Sequence, residues 1–293
     1  MIALVTALAA TLQVAGVPAQ LDTTFAAARG DRLEAQVFAG TITVKGWNRD
    51  QVRVQATGLE AGGRNGHGRG GLDLGRSGGT IRVQVQPGRG GGEGDVTVWI
   101  PAAMPVELGG NETSIVVEGV QGPVRATTIE GHVTLTGGGE FVELSSVEGG
   151  ITATGVRGRL KAGSVDGDIV IRDVRGPVSV TTVDGRIELT DVDGPTVQAG
   201  TVDGDVTFRG PVRAGGTYRL TSHDGDVTAA LGGAPDAEVS ISTFDGEFLS
   251  DFPVTITQAV KAGRQFSFTL GRGGAQVFLE TFDGTIRLER TGR

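Results

Sequence analysis

Apolar and polar residues alternate in short runs along most of this chain, and the runs recur at a nearly constant spacing. In one repeat Ile169 and Ile171 follow one turn, and Val178 and Val180 follow the next. A spacing of two inside a short run is typical of a β-strand with one buried face. No segment after residue 30 has helical periodicity, so the pattern predicts an all-β chain.

The repeats align on an acidic residue that is followed by glycine. The acidic residues are Glu130, Glu148, Asp166, Asp184, Asp203, Asp224, Asp245 and Asp283. Their successive separations are 18, 18, 18, 19, 21, 21 and 38 residues, and the last separation fits two coils of 19 residues with one degenerate turn. A period of this size, repeated this often, predicts a β-solenoid.

A single coil cannot bury its apolar side alone, whereas coils stacked about 4.8 Å apart share an interior. We therefore predict a single-stranded parallel β-helix with 18 to 21 residues per coil, and we expect the coil to be right-handed. The side chains predicted to point inward are Val165, Ile169, Ile171, Val183, Ile187, Leu189, Val202, Val206 and Phe208. The alternative is a β-sandwich in which the Asp-Gly pairs form hairpin turns.

The regularity of the repeats divides the chain into two parts of one domain. Residues 20–120 carry irregular coils, interrupted at 61–79 and 88–94 by Gly-rich stretches that we predict to be surface insertions. Residues 121–293 carry the regular repeats and the C-terminal coils.

The N-terminal segment, residues 1–19, is uncharged and ends in Val17-Pro18-Ala19. This pattern indicates a secretory signal peptide that is cleaved after Ala19, and hence a periplasmic or secreted protein. The positively charged start of such a signal is missing, so an uncleaved anchor and a segment that is neither remain alternatives. We expect no membrane span in the mature chain.

Charge and cysteine content exclude several classes of partner and site. The 293 residues include 34 acidic and 26 basic residues, and the net charge of -8 disfavours nucleic acid as a partner. The chain has no cysteine, so it has neither disulfides nor thiolate metal sites.

Several segments in their order along the chain resemble one known family. They are GTITVKGW (40 to 47), RDQVRVQATG (49 to 58), DVTVWIPAAMPVEL (95 to 108), the tandem TVDG coils, SDFPVTI (250 to 256) and GGAQVFLETFDGTIRLER (273 to 290). The succession, which covers essentially the whole mature chain, resembles the bacterial "putative adhesin" β-solenoid family of unknown function. The resemblance implies an extracytoplasmic β-helical protein, and it supplies no catalytic residues.

The column of acidic residues is the first candidate for chemistry. Asp before Gly suits a tight turn, because the Asp side chain can hydrogen-bond its own backbone and Gly accepts a positive φ. Like charges stacked about 5 Å apart also repel by about 1 kcal/mol per pair in water, which a cation such as Ca²⁺ would relieve. We expect the turn to be the main role and no cofactor to be required. The candidate calcium ligands are Asp166, Asp168, Asp184, Asp203, Asp205, Asp224, Asp226 and Asp245.

Two further residues stand out as possible ligand contacts. His223 occupies a position that is apolar in the other repeats, and Asp224 and Asp226 lie close to it in sequence. Such a group can act as an acid or base on a polysaccharide, although most histidines of this kind are structural. Trp99 is expected on the face opposite Val96 and Val98, where it is either covered by the Gly-rich insertion or free to stack on a sugar.

Long solenoids present extended surfaces of repeated groups, which suit polymers and other proteins. We therefore expect a non-catalytic module of the cell envelope, adhesin-like or structural, with a glycan, another envelope polymer or an envelope protein as its partner. The rivals are a polysaccharide lyase or hydrolase on a parallel β-helix and a scaffold that self-associates through uncapped ends.

Overall fold

A computed structural model of the chain describes residues 19–59, 71–85, 94–255, 258–260 and 265–291. These residues form 25 β-strands, and no helix among them is long and apolar enough to cross a membrane. The all-β prediction is confirmed. The predicted signal peptide lies outside the described residues except for Ala19.

The strands fall into an N-terminal group, a regular central group and a C-terminal group. The N-terminal strands are β1 (Ala19–Ala26), β2 (Arg32–Trp47), β3 (Gln51–Leu59), β4 (Leu72–Ser77), β5 (Thr80–Val85), β6 (Gly94–Pro101) and β7 (Val106–Val120). The central strands are β8 (Val124–Thr127), β9 (Val133–Gly137), β10 (Phe141–Ser145), β11 (Ile151–Thr154), β12 (Arg159–Gly163), β13 (Ile169–Arg175), β14 (Val178–Thr181), β15 (Ile187–Asp193), β16 (Thr196–Gly200), β17 (Val206–Gly210), β18 (Thr217–Asp224) and β19 (Val227–Gly232). The C-terminal strands are β20 (Ala237–Asp245), β21 (Phe248–Ser250), β22 (Gln258–Val260), β23 (Gln265–Leu270), β24 (Ala275–Asp283) and β25 (Ile286–Thr291).

Each central coil consists of two short strands joined by the corner that carries the acidic residue. Even-numbered strands stack on even-numbered strands and odd on odd, always parallel, as in β10–β12–β14 and β11–β13–β15. Ile151 pairs with Ile169, which pairs with Ile187, so these partners lie 18 residues apart. This parallel stacking is that of a β-solenoid, and it excludes the antiparallel sandwich for the repeats; the handedness of the coil stays a prediction.

The core is a set of aliphatic columns that run through the stacked coils. Ile169, Ile187 and Val206 form one such column, and all three are fully buried. Alternation with a period of two sends their neighbours outward, so each of the strands β8 to β18 contributes two or three buried side chains. Each contributes about 1.5–3 kcal/mol by its burial.

The N-terminal coils do not stack in chain order. The long strand β2 pairs with β7 on one side, and on the other side its two halves pair with β5 and β6, all in parallel. The coil formed by β5 and β6 is the N-terminal end of the stack, and antiparallel strands cover its outer edge. Strand β4 pairs with β5, β3 pairs with β6, and β1 pairs with β3. Residues 72–77, part of the predicted insertion at 61–79, therefore form a capping strand; residues 60–70 and 86–93 lie outside the described residues.

The C-terminal coils are also out of chain order. The last coil, β24 and β25, lies between the β18–β19 coil and the β20–β21 coil. Asp283 is thus the register partner of both Asp224 and Asp245, and the expected pair of 19-residue coils with a degenerate turn is wrong. The six-residue β25 pairs along all of β19, which the three-residue β21 could not do. Antiparallel β23 then covers β20, and β22 covers β23.

Candidate functional site

The corner of each coil places its side chains differently from the prediction. Val165, Val183 and Val202 were expected in the core, but they are 48%, 49% and 49% exposed, so that part of the prediction is wrong. The other six side chains predicted to point inward are buried, as expected. In the coil of Val165 the alternation of β12 continues through buried Ser164, and Ile169 follows Ser164 at an offset of five positions. This odd number reverses the alternation, so Val165 points outward although Ile169 points inward.

In most corners a buried Ser or Thr hydroxyl bonds to the neighbouring coil, whereas Thr243 Oγ1 has no hydrogen-bond partner among the residues that the structure describes. Thr281 Oγ1 donates to the carbonyl oxygen of Gly225 at 2.8 Å, and Ser222 Oγ donates to that of Gly204 at 2.8 Å. Thr128 Oγ1 makes the same bond to Thr113. A buried hydroxyl without a partner is costly, so these bonds explain why Ser or Thr stands two positions before the acidic residue in each repeat, a set that we call the hydroxyl column.

The glycine after each acidic residue allows the coils to approach closely. Gly185 has a φ of +144°, and a Cβ atom on it would lie 2.5 Å from the carbonyl oxygen of Gly167. Its N–H donates to the carbonyl oxygen of Asp203 in the next coil at 2.9 Å. Any side chain at this position would separate the two coils, which is why the corner requires glycine.

The outward apolar side chains form a continuous column that we call the apolar ridge. In spatial order its members are Ile129, Val147, Val165, Val183, Val202, His223, Phe282 and Phe244. The apolar members are between 41% and 54% exposed. Seven steps of about 4.8 Å give the ridge a length of roughly 34 Å.

The C-terminal end of the apolar ridge is aromatic. The ring of His223 lies 4.8 Å from that of Phe282, and the rings of Phe282 and Phe244 stack 4.7 Å apart at an angle of 4°. His223 is therefore one step of the ridge, in contact with an aromatic neighbour.

A row of carboxylates accompanies the apolar ridge, one residue later in each coil. This acidic row consists of Glu130, Glu148, Asp166, Asp184, Asp203, Asp224, Asp283 and Asp245. The backbone of each residue links adjacent coils, as when Asp184 N donates to Val165 O at 2.8 Å. The carboxylates themselves accept no hydrogen bond within the described parts of the chain, so the predicted bond from the Asp side chain to its own turn is not formed there.

The second acids of the repeat, two residues after the row, do link coils through their side chains. Asp168 accepts a hydrogen bond from Arg186 N at 2.7 Å, and Asp205 accepts one from Asp226 N at 3.0 Å. Asp226 in turn accepts from Thr285 N at 2.8 Å and pairs with Arg287. Burial raises the pKa of Asp226, but the hydrogen bonds from Arg287 and Thr285 outweigh it and hold the pKa below its ordinary value.

The calcium hypothesis is not supported by any ready-made ligand cluster. Among the described residues no group of three or more His, Asp or Glu side chains is placed to hold a metal ion. Calcium binding by the candidate aspartates stays a prediction, which a melting curve with and without millimolar calcium would test.

Trp99 is half-buried on the outer surface of β6, as the alternation predicts. The guanidinium of Arg53 on the adjacent β3 lies 5.2 Å from the centre of the Trp99 ring. Arg53 is held by Asp22 of β1 through bonds of 2.9 and 2.6 Å, which lower the pKa of Asp22 to about 2. Trp99 is thus covered at least in part by an arginine, and its contact with a ligand stays a prediction.

The residues near His223 are weakly suited to catalysis. Asp226 is engaged by Arg287 and Thr285, and His223 itself is exposed on the apolar ridge. A cavity of about 420 Å³ lies elsewhere, at the N-terminal end, and is lined by Asp31 and Met104 among others. Buried Asp31 already pairs with Arg76 at 2.6 Å and accepts from Ala28 N at 2.7 Å, so its carboxylate has a structural role.

The chain is similar to solved structures from several bacteria. A "putative adhesin" from Parabacteroides distasonis ATCC 8503 is 12% identical over 92% of this chain and 97% of that chain, with a TM-score of 0.41. A "putative adhesin" from Bacteroides fragilis NCTC 9343 has the same identity and coverage and a TM-score of 0.40. A "putative cell adhesion protein" from Clostridium sporogenes ATCC 15579 is 10% identical over 94% of this chain and 100% of that chain, with a TM-score of 0.24.

A search of curated proteins gives no match to the chain. The model of the family described as Toastrack DUF4097 matches residues 37–289, which include most of the irregular coils, all of the regular repeats and most of the inserted C-terminal coil. The match confirms the family resemblance noted in the sequence. This chain belongs to the Toastrack DUF4097 family.

Proposed function

We propose that the protein is a non-catalytic, adhesin-like binding module outside the cytoplasm, and that the apolar ridge is its contact surface. The ridge is the observation that carries the proposal. Single exposed aliphatic residues are normal on a protein surface, whereas a contiguous apolar strip marks an interaction site. Here the strip is one side chain wide and about eight coils long, a shape that suits an elongated partner.

The alternatives receive less support from the same structure. An enzyme needs convergent catalytic groups in a groove, whereas the acidic residues here repeat evenly along one edge. A filament that continues the parallel stack end to end needs exposed terminal coils, whereas antiparallel β4 and β3 lie on β5 and β6 at one end and antiparallel β23 lies on β20 at the other. The apolar segment at residues 1–19 supports a location outside the cytoplasm, and fractionation of cells with an antibody against the protein tests that location.

The function is tested by the binding of purified protein to isolated cell envelopes and to a glycan array. The key variant replaces Val147, Val165, Val183 and Val202 with threonine, which keeps the β-branched shape but removes the apolar character. Val170→Thr on the outer surface of β13 is the matched control. We expect the ridge variant to lose binding and the control to keep it.

A catalytic result would overturn the proposal. We expect neither pectin nor alginate to be degraded by the purified protein. Degradation that His223→Ala abolishes would establish the enzyme instead, and envelope binding that is unchanged in the ridge variant would show that the contact surface lies elsewhere.

A further inference from the structure

The apolar ridge and the acidic row run side by side over eight coils, and together they describe a partner. On the flank of the ridge opposite the acidic row, the residue two positions earlier is small in most coils, as in Ser145, Gly163 and Gly200. A partner can therefore lie over the ridge from that flank without meeting large side chains. Its charged groups would then meet the acidic row on the other flank.

The acidic row differs from many other acidic residues of the described surface because it has no counter-ions there. Many acids elsewhere pair with a basic side chain, including Asp22 with Arg53, Glu34 with Arg82, Glu118 with Lys45, Glu143 with Lys161, Asp173 with Arg157, Asp193 with Arg213 and Asp236 with Arg272. None of the ion pairs between described residues involves a member of the acidic row. The row is thus an uncompensated line of negative charge beside an apolar strip.

From this arrangement we propose that the apolar ridge binds a cationic amphipathic segment of a partner protein; the inference rests on the proposed function. The apolar face of such a segment covers the ridge, and its lysine or arginine side chains reach the acidic row. A ridge of roughly 34 Å matches a helix of about 22 residues. A second copy of this chain is a poorer fit, because it brings the same unpaired acidic row and the same net charge of -8.

The probe is a labelled 22-residue peptide with leucines on one helical face and lysines on the other. A Glu/Leu peptide of the same pattern tests the sign of the charge, and a Lys/Ser peptide tests the need for the apolar face. Binding is measured by fluorescence anisotropy with the full-length protein at two salt concentrations. We expect the Lys/Leu peptide to bind at least tenfold more tightly than either control peptide, with affinity falling as salt rises.

Matched variants separate the apolar and electrostatic contributions. The fourfold Val→Thr ridge variant keeps all charges, and we expect it to weaken Lys/Leu binding at least tenfold. Asp166→Asn, Asp184→Asn and Asp203→Asn together keep the ridge and should have a similar effect. Asp95→Asn, Glu107→Gln and Glu238→Gln remove three charges elsewhere and should change binding less than threefold.

Each remaining result contradicts the inference in a distinguishable way. Equal binding of the Glu/Leu and Lys/Leu peptides, both lost in the ridge variant, would keep the ridge as a contact surface but reject a cationic partner. Equal losses in the two charge variants would mean that the peptide responds only to net charge. Dimers in sedimentation that the ridge variant abolishes would make a second copy the occupant. Envelope binding that is independent of the ridge would reject the proposed function itself.

Discussion

At the scale of single residues, the coils that carry the apolar ridge and the acidic row share the same hydroxyl, apolar, acidic and glycine positions at their corners. The hydroxyl satisfies a carbonyl of the neighbouring coil, and the glycine lets the two backbones approach. The sequence predicts the turn and its glycine, because both follow from local backbone chemistry. It does not predict the outward direction of Val165, because the alternation counted forward from Leu160 and backward from Ile169 gives opposite answers. Only the path of the corner decides between them.

The hydroxyl column gives one prediction at this scale. Thr281→Val removes a 2.8 Å hydrogen bond inside the protein and leaves the carbonyl oxygen of Gly225 without that donor. We expect a loss of about 1–2 kcal/mol in the free energy of unfolding, measured with urea. Val165→Thr, the reverse exchange on the exposed ridge, should cost less than about 0.5 kcal/mol. If Val165→Thr lowers the free energy of unfolding more than Thr281→Val does, then the valine is the buried residue and the hydroxyl is the exposed one, contrary to the structure.

The glycine that follows each acidic residue gives a second prediction at the scale of single residues. Gly185→Ala places a Cβ atom 2.5 Å from the carbonyl oxygen of Gly167, in addition to the strain of a positive φ. Gly215→Ala has a positive φ of +73° but no atom within 4 Å of its Cβ, so it isolates the strain. We expect a loss of about 3–5 kcal/mol for Gly185→Ala and about 1–2 kcal/mol for Gly215→Ala. Equal losses of stability in Gly185→Ala and Gly215→Ala would show that the close approach of the coils is not the reason why the corner requires glycine.

At the scale of strands, the regular coils follow from the sequence, whereas the order of the terminal coils does not. Repeats of 18 residues define which strand stacks on which, as for β11, β13 and β15. At the C-terminus, both β20 and β24 have the repeat pattern and could stack on β18. The two candidates differ in their partner strands, since β25 has six residues and pairs along all of β19, whereas β21 has only three.

Engineered cysteine pairs test the order of the C-terminal coils, since the chain has no other thiol. Glu280 is the register partner of both Thr221 and Ser242. Cysteines at 221 and 280, or at 242 and 280, lie one strand spacing apart and should form a disulfide on mild oxidation. Cysteines at 221 and 242 lie about 9.6 Å apart, beyond disulfide reach, and should stay reduced. Rapid disulfide formation between cysteines at 221 and 242 would contradict this order and would show that β20 stacks directly on β18.

The capping strand β1 gives a prediction about pH. Hydrogen bonds from Arg53 hold the pKa of Asp22 at about 2, below its ordinary value of 3.8. A lowered pKa means that the stabilisation is fully present above about pH 3.8 and is lost as the pH falls towards 2. Asp22→Asn should therefore be less stable than the unmodified protein at pH 5, and the difference should vanish near pH 2. Urea unfolding at both pH values measures this difference in stability. The variant Arg53→Gln should show the same pH dependence as Asp22→Asn. A difference in stability that is the same at pH 5 and pH 2 would refute the role of the Asp22–Arg53 pair.

At the scale of the whole molecule, stacking converts a four-residue pattern into two long parallel lines, one apolar and one acidic. Neither line exists in a single coil, and the inserted C-terminal coil extends both without a break, because it places Phe282 between His223 and Phe244. The acidic line is visible in the sequence as a repeated Asp or Glu. The apolar line becomes a candidate site only when the structure shows that its side chains face solvent.

The most direct test of this account is therefore the accessibility of neighbouring corner positions, measured by thiol labelling of single-cysteine variants. The pairs are Ser146→Cys with Val147→Cys, and Thr182→Cys with Val183→Cys. Ser146 and Thr182 are 3% and 4% exposed, whereas Val147 and Val183 are 41% and 49% exposed. We predict that cysteines at 147 and 183 react at least about 100-fold faster in the native protein than those at 146 and 182, which are labelled only when the corner opens. Faster labelling at 146 and 182 would mean that the valines point inward, and that the apolar ridge does not exist.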